Sequence, residues 1–208
     1  MEEKRIKTGI MGGTFNPIHY GHLLIAENAA EQFGLDEILF IPTGRSPHKS
    51  DRQILDAALR CDMIRLAISD NAAFRLSTIE IEADEVNYTY RTVDHLRDQS
   101  PDRELYFIMG GDSLQAFGTW RYPEHILDEA GLLVAVRDDV DEAELKEQIQ
   151  SLEQRYPQAR IACLKTPNYS LSSHRIRALA AKGRTIRYMV PEAVRCYIEE
   201  HHLYDTNI

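Results

Sequence analysis

Positive charge is in short supply. The 208 residues carry 24 Lys+Arg against 33 Asp+Glu, a formal net charge of −9. Nothing in such a balance offsets repulsion from a phosphate backbone or an anionic lipid surface, so broad affinity for nucleic acid or membrane is excluded. A local pocket for a small phosphorylated molecule is not. Cysteine is scarce as well: Cys61, Cys163 and Cys196 are odd in number, far apart and free of CxxC spacing. That argues against a disulfide framework or a zinc knuckle and leaves three buried or half-buried thiols in a reducing, cytoplasmic setting. Long apolar runs are missing. The stretch Gly131–Val136 is far shorter than the ~20 residues that span a bilayer, and the chain start lacks the long apolar core of a signal peptide. Repeats and low-complexity segments are absent too. What is present suits a soluble α/β protein, long enough to bury roughly 70% of its unfolded surface without disulfides or a structural metal.

Apolar periodicity sets the order of elements. Ile6–Met11 reads as a buried strand closed by Gly12-Gly13; Leu23, Leu24, Ala26, Ala29, Ala30 and Phe33 recur at helical spacing up to Gly34; Glu37–Pro42 reads as a second strand. Strand, glycine turn, helix, strand is a βαβ unit and demands a parallel pair. Further on, the pattern predicts a helix over 54–69, a strand over Phe74–Ile81 and a helix over 90–96. Strands follow at 105–109 and 132–136, then an acidic amphipathic helix over 139–156 with Leu145, Ile149 and Leu152 inward, and a strand over 160–164. Two short helices close the chain, near 172–181 and 191–201, with Pro191 suited to a first-turn position. We read residues 1–208 as one domain: a doubly wound parallel sheet whose portion from 172 to 208 is helical. In such sheets ligands sit at the carboxyl ends of the strands.

The loop after the first strand is Gly12-Gly-Thr-Phe-Asn-Pro-Ile-His-Tyr-Gly-His22. Two glycines let backbone approach a phosphate, and the following helix N-terminus offers unpaired N–H groups. It is neither GxGxxG nor GxxxxGK[ST]. His19 and His22 stand three residues apart at a helix start, so both can face one ligand; two satisfied histidines or two ligands of a zinc site are the alternatives. A second helix start, Ser172-Ser-His-Arg-Ile-Arg177, can be an ordinary Ser-capped helix, with Ser170 as another cap candidate. It can also be a phosphate site, with serine hydroxyls and the Arg177 fork as donors.

The string GGTFNPIHYGH resembles the signature of the HxGH nucleotidyltransferases and, within them, the bacterial nicotinate mononucleotide adenylyltransferases. Only Asn16 departs, where that family more often has Asp. Pro47-His-Lys49 resembles its PPHK loop, Asn87-Tyr-Thr89 its SYT segment, Gly110-Gly-Asp112 with Trp120 its GxD…W stretch, and residues 172–177 its SSTxIR motif, with His174 in place of Thr. The matches occur in order and cover nearly the whole chain.

The resemblance implies a Rossmann-like nucleotidyltransferase fold and transfer of AMP from ATP to nicotinate mononucleotide, giving deamido-NAD and pyrophosphate in NAD biosynthesis. Other phosphate acceptors, nicotinamide mononucleotide among them, and a non-catalytic nucleotide-binding module are the competing readings. It implies His22 at the α-phosphate with His19 beside it. For the ATP phosphates it implies Gly12, Gly13, Thr14, Phe15, Lys49, Ser172, Ser173, Arg177 and Arg137, the last also readable as a solvated strand-end arginine. Thr89, Trp120, Arg121, Asp112 and His48 fall to the mononucleotide and ribose, the Trp120 ring stacking on the pyridine rather than merely packing. Mg²⁺ is expected with ATP, held mainly by phosphate oxygens and not by a protein cage. A homodimer is a family-level expectation only.

Overall fold

The computed structural model describes residues 5–45, 54–83, 85–136, 142–167 and 170–205. Its elements run β1 (Lys7–Gly13), α1 (Tyr20–Phe33), β2 (Glu37–Pro42), α2 (Ala57–Ala67), β3 (Phe74–Leu76), α3 (Ile79–Glu82), α4 (Thr89–Gln99), β4 (Glu104–Gly110), α5 (Gly111–Phe117), α6 (Pro123–Glu129), β5 (Ala130–Val136), α7 (Glu142–Arg155), β6 (Ile161–Lys165), α8 (Ser173–Ala180) and α9 (Glu192–Glu200). Among the described residues the sheet has six strands, all parallel, in the order β3-β2-β1-β4-β5-β6. The doubly wound sheet expected from the sequence is therefore present.

Strands covered on both faces must be apolar throughout, with successive side chains entering opposite cores. That alternation is visible residue by residue. Met11, Ile38, Phe40, Ile108, Leu133 and Ala135 join one core with Ala26, Met63, Ile64, Ile176 and Ile198 from the helices. Their neighbours Ile10, Leu39, Ile41, Phe107, Met109, Leu132 and Val134 join the other, with Val93, Phe117, Ile126, Leu145 and Ile149. Gly34 ends α1 in the left-handed region at φ 60°, a conformation glycine adopts without a Cβ penalty. The chain order reverses between β1 and β4, and the crevice of a doubly wound sheet opens there.

Four expectations need correction. The strand predicted over Phe74–Ile81 stops at Leu76. Paired only with β2, it bends after Ser77 donates to the Phe40 carbonyl, and Thr78 starts the short α3 through its carbonyl to Ile81 and Glu82. Ile79 and Ile81 mimic strand alternation there, but they belong to one helical turn. The segment 111–129 holds α5 and α6, each too short for apolar periodicity to register. Cys163 is exposed, because β6 is an edge strand with residues facing outward; Cys61 is buried, Cys196 half-buried, and none of the three joins a disulfide. At the C-terminal end, Pro191 sits at the N-cap of α9, one place before the first turn, and Ser172, not Ser170, caps α8 by accepting from the Arg175 N–H at 3.3 Å. No helix of the described residues is long and apolar enough to cross a membrane.

Candidate active site

β1 delivers Gly12 and Gly13 to the crevice, and the chain must turn sharply to start α1. A Cβ on Gly13 would lie 3.3 Å from the Phe15 ring, which is itself 2% exposed beneath the loop at a left-handed φ of 48°. His19 caps α1. Its backbone N–H donates to Nδ1 of His22 at 3.3 Å, and the two rings stack with centroids 3.8 Å apart. The Phe15 ring meets His22 at 5.0 Å, edge to face.

This arrangement fixes the chemistry of His22. With Nδ1 accepting the amide proton, a neutral imidazole must carry its own proton on Nε2. Burial first, and the adjacent His19 second, hold the His22 pKa well below the usual imidazole range. The half-buried ring lines the cleft as a neutral hydrogen-bond donor rather than a cation.

A pH signature follows by linkage. An unfolded histidine takes up a proton near pH ~6.5, whereas folded His22 resists it, so below that pH the unfolded state binds more protons and stability falls. His125 works in the opposite sense. Its Nε2 lies 2.5 Å from Asp94, and that hydrogen bond raises its pKa, so its contribution is present at low pH and fades as pH rises through the raised value. We expect His22→Gln to flatten the acid-side loss of stability and His125→Gln to deepen it. Urea-unfolding midpoints at about pH 5 and about pH 7.5 check both.

The cleft has a volume of about 630 Å³. Gly12, Gly13, Thr14 and His22 line one part of it, and Asn87, Tyr88, Thr89, Trp120 and Arg121 another. Trp120 packs its ring against Phe107 and Phe117 at 5.8 and 5.3 Å, so the indole is braced where it borders the cavity. The Arg121 guanidinium lies over the rings of Tyr88 and Tyr122, at 5.0 and 5.4 Å, and the hydrogen bonds it donates to the Tyr122 and Tyr88 hydroxyls raise its pKa.

Of the residues singled out in the sequence, the fold thus gathers Gly12, Gly13, Thr14, His22, Thr89, Trp120 and Arg121 around one cavity. Phe15 and His19 are buried, at 2% and 6% exposure, and support the loop from beneath. Asp112 is exposed at the start of α5, between the lining residues Gly110 and Ser113. Ser173 and Arg177 are brought to the same loop, and neither they nor Ser172 are among the described lining residues. Ser173 Oγ donates to the Pro17 carbonyl at 2.8 Å and Arg177 Nη1 to the Asn16 carbonyl at 2.7 Å. His48, Lys49 and Arg137 lie outside the described residues.

Some neighbours of the cleft were not foreseen. Glu80 lines it; burial raises its carboxyl above the usual range, against the Thr92 and Thr43 hydroxyls that hydrogen-bond it. Arg60, 2% exposed, donates through Nη1 to the Thr14 carbonyl at 2.9 Å and through Nε to the Leu55 carbonyl at 3.0 Å. Tyr204 donates to Asn16 Oδ1 at 2.9 Å. One signal for Arg60 did exist, since a basic residue directly follows Leu59 in the apolar stripe of α2.

The sequence profile of the cytidylyltransferase-like family matches residues 10–179. A protein of Lachnoclostridium phytofermentans named as a probable nicotinate-nucleotide adenylyltransferase is 43% identical over 198 residues, covering 95% of this chain and 98% of that one. The chain belongs to the cytidylyltransferase-like family and, within it, to the nicotinate-nucleotide adenylyltransferases. A second member so named, from Desulfitobacterium hafniense, is 40% identical, with 97% of this chain and 96% of that one covered. Among solved structures, the nicotinic acid mononucleotide adenylyltransferase of Plasmodium falciparum, complexed with NaAD, superposes with a TM-score of 0.77. It covers 97% of this chain and 98% of its own at 20% identity. At that identity the likeness shows a shared fold, and the family membership rests on the bacterial sequences.

Proposed function

We propose that the cleft transfers the AMP moiety of ATP to nicotinate mononucleotide, releasing pyrophosphate and forming deamido-NAD, a step of NAD biosynthesis in the cytoplasm. The observation that carries this reading is that His22, its Nδ1 taken by the His19 N–H, lines the same cavity as the braced Trp120 ring, Thr89 and Arg121. A phosphate oxygen of the mononucleotide attacks the α-phosphorus of ATP. The new P–O bond forms as the bond to the β-phosphate oxygen breaks, and pyrophosphate leaves with that electron pair. No protein nucleophile is needed, because nucleotidyl transfer asks for in-line alignment and for stabilisation of charge around phosphorus.

His22 donates to a non-bridging α-phosphate oxygen as its charge grows. Being neutral before the reaction, it gives up no proton to the phosphate. The loop N–H groups at Gly12–Phe15, the Ser172 hydroxyl, the Ser173 backbone N–H and the Arg177 N–H groups other than the one on Asn16 hold the remaining phosphate oxygens. Lys49 and Arg137, by the family resemblance, add positive charge at the phosphates. The pyridine stacks on Trp120, its carboxylate meets Thr89 and Arg121, and Asp112 and His48 serve the ribose end. Among the described residues no group of three His, Cys, Asp or Glu side chains comes together to hold a metal. A Mg²⁺ ion carried on the triphosphate would neutralise part of its charge.

Stacking alone cannot tell an acid from an amide; charge and acceptor count can. In a pyrophosphate-release assay with ATP, nicotinate mononucleotide should support turnover at least about tenfold better in kcat/KM than the nicotinamide compound, a difference of ~1.4 kcal/mol. Equal or reversed preference would overturn the assignment of the acid as substrate.

A further inference from the structure

Among the described residues, five oxygens of the loop between Gly13 and Pro17 accept hydrogen bonds from outside it. The Gly13 carbonyl accepts from the Thr43 N–H at 2.9 Å, Thr14 from Arg60, Asn16 from Arg177 and Pro17 from Ser173, while Asn16 Oδ1 accepts from Tyr204. Across a trans peptide the N–H points opposite to the preceding carbonyl. Fixing the Gly13 carbonyl on Thr43 therefore turns the Thr14 N–H away from Thr43, and fixing the Thr14 carbonyl on Arg60 turns the Phe15 N–H away from Arg60. Arg60, on α2, is the buried member of this set and ties the segment just before α2, through Leu55, to the loop, through Thr14. Tyr204 comes from the far end of the chain; burial raises its pKa, which keeps the hydroxyl protonated and able to donate.

We propose that Arg60 and Tyr204 are positioning residues that act from behind the loop, setting the direction of its N–H groups toward phosphate without touching substrate. Neither residue is among those that line the cleft, and the hydrogen bonds they make run to the loop and to Leu55. A lysine cannot replace Arg60, because one ammonium lacks the rigid fork that serves two carbonyls at once. The proposal rests on the adenylyl-transfer reading for the identity of the phosphate, but the orientation of the loop does not depend on it.

The test uses Arg60→Lys, Arg60→Met and Tyr204→Phe. It reads kcat, KM for each substrate, inorganic pyrophosphate binding by calorimetry and the urea midpoint. A displaced loop costs up to about a hundredfold in rate. Arg60→Lys and Arg60→Met should lower kcat by about ten- to a hundredfold and weaken pyrophosphate binding, with the mononucleotide KM within about twofold of the parent. Tyr204→Phe should move the same quantities by about three- to fivefold, as expected for one hydrogen bond. A merely structural role would instead lower the midpoint and leave the folded fraction with parental kcat and pyrophosphate affinity, which overturns the proposal. Should the Arg60 variants not fold, Tyr204→Phe decides alone: parental kcat and pyrophosphate binding in that variant overturn it. If the parent itself turns over no mononucleotide, the adenylyl-transfer reading has failed, and the pyrophosphate arm still tests the loop.

Discussion

Replacing His22 by alanine should lower kcat by about 10²–10³-fold, equivalent to ~2.7–4 kcal/mol of lost transition-state stabilisation. The figure follows from what the side chain offers. Its Nδ1 is occupied by the His19 N–H, so Nε2–H is a fixed donor, and burial keeps the ring neutral. A donor that is already oriented reorganises little as charge develops on the α-phosphate, and its loss leaves that charge to water. Alanine also removes the acceptor for the His19 N–H, which should cost ~1 kcal/mol of stability, as for other helix caps. The two effects separate cleanly: the urea midpoint reports the cap, and pyrophosphate release from the folded variant reports the chemistry. Mononucleotide KM should stay near the parent value, since the Trp120 region is untouched. Turnover within about threefold of the parent would remove His22 from the mechanism.

Much of this architecture is legible in the sequence, for a physical reason. Ile38-Leu-Phe-Ile41 and Leu105–Met109 are buried on both faces, so they must be apolar without interruption, and such runs bounded by glycine or proline have few other readings. The same logic fails where burial is one-sided or short. Ile79 and Ile81 alternate like strand residues but sit on one turn of α3. α5 and α6 bury only Leu114 and Phe117, and Pro123, Ile126 and Leu127, too few for a period to show. The histidines were legible because a helix start puts residues 19 and 22 on one face. Arg60 left a trace in the apolar stripe of α2, but its partner and that of Tyr204 were not legible, because the Thr14 carbonyl and Asn16 Oδ1 lie 46 and 188 residues away. A carbonyl is present at every residue, so no spacing betrays which one an arginine will find. Ser173 and Arg177 show the intermediate case: their place near the phosphate loop was expected, but the partners they meet are its carbonyls.

Gly44→Ala should be the most damaging small substitution near the cleft, lowering unfolding stability by ~2–5 kcal/mol. A Cβ there would lie 2.3 Å from the Glu80 carbonyl oxygen, 2.9 Å from Asn87 Oδ1 and 3.1 Å from the Glu80 carbonyl carbon. Backbone cannot move aside as a flexible side chain can, so overpacking alone costs ~1–3 kcal/mol. The group displaced is also a joint. Asn87 Oδ1 accepts from the Arg45 N–H at 2.7 Å, its Nδ2 donates to the Glu80 carbonyl at 2.9 Å, and its own N–H donates to the Arg45 carbonyl at 3.0 Å. Breaking these bonds leaves part-buried polar groups unsatisfied, at a further ~1–3 kcal/mol. Gly118→Ala is the matched control: φ there is −62°, and the added Cβ meets nothing within 4 Å. Its midpoint should stay within ~0.5 kcal/mol of the parent. Because the joint ties the end of β2 to the start of α4, any folded Gly44→Ala protein should show a raised mononucleotide KM, as Asn87 and Thr89 line that end of the cleft. Equal midpoints for the two alanine variants would mean that the turn and α4 can part by the missing ångström at no cost, and then Thr89 would not be held firmly enough to read a carboxylate.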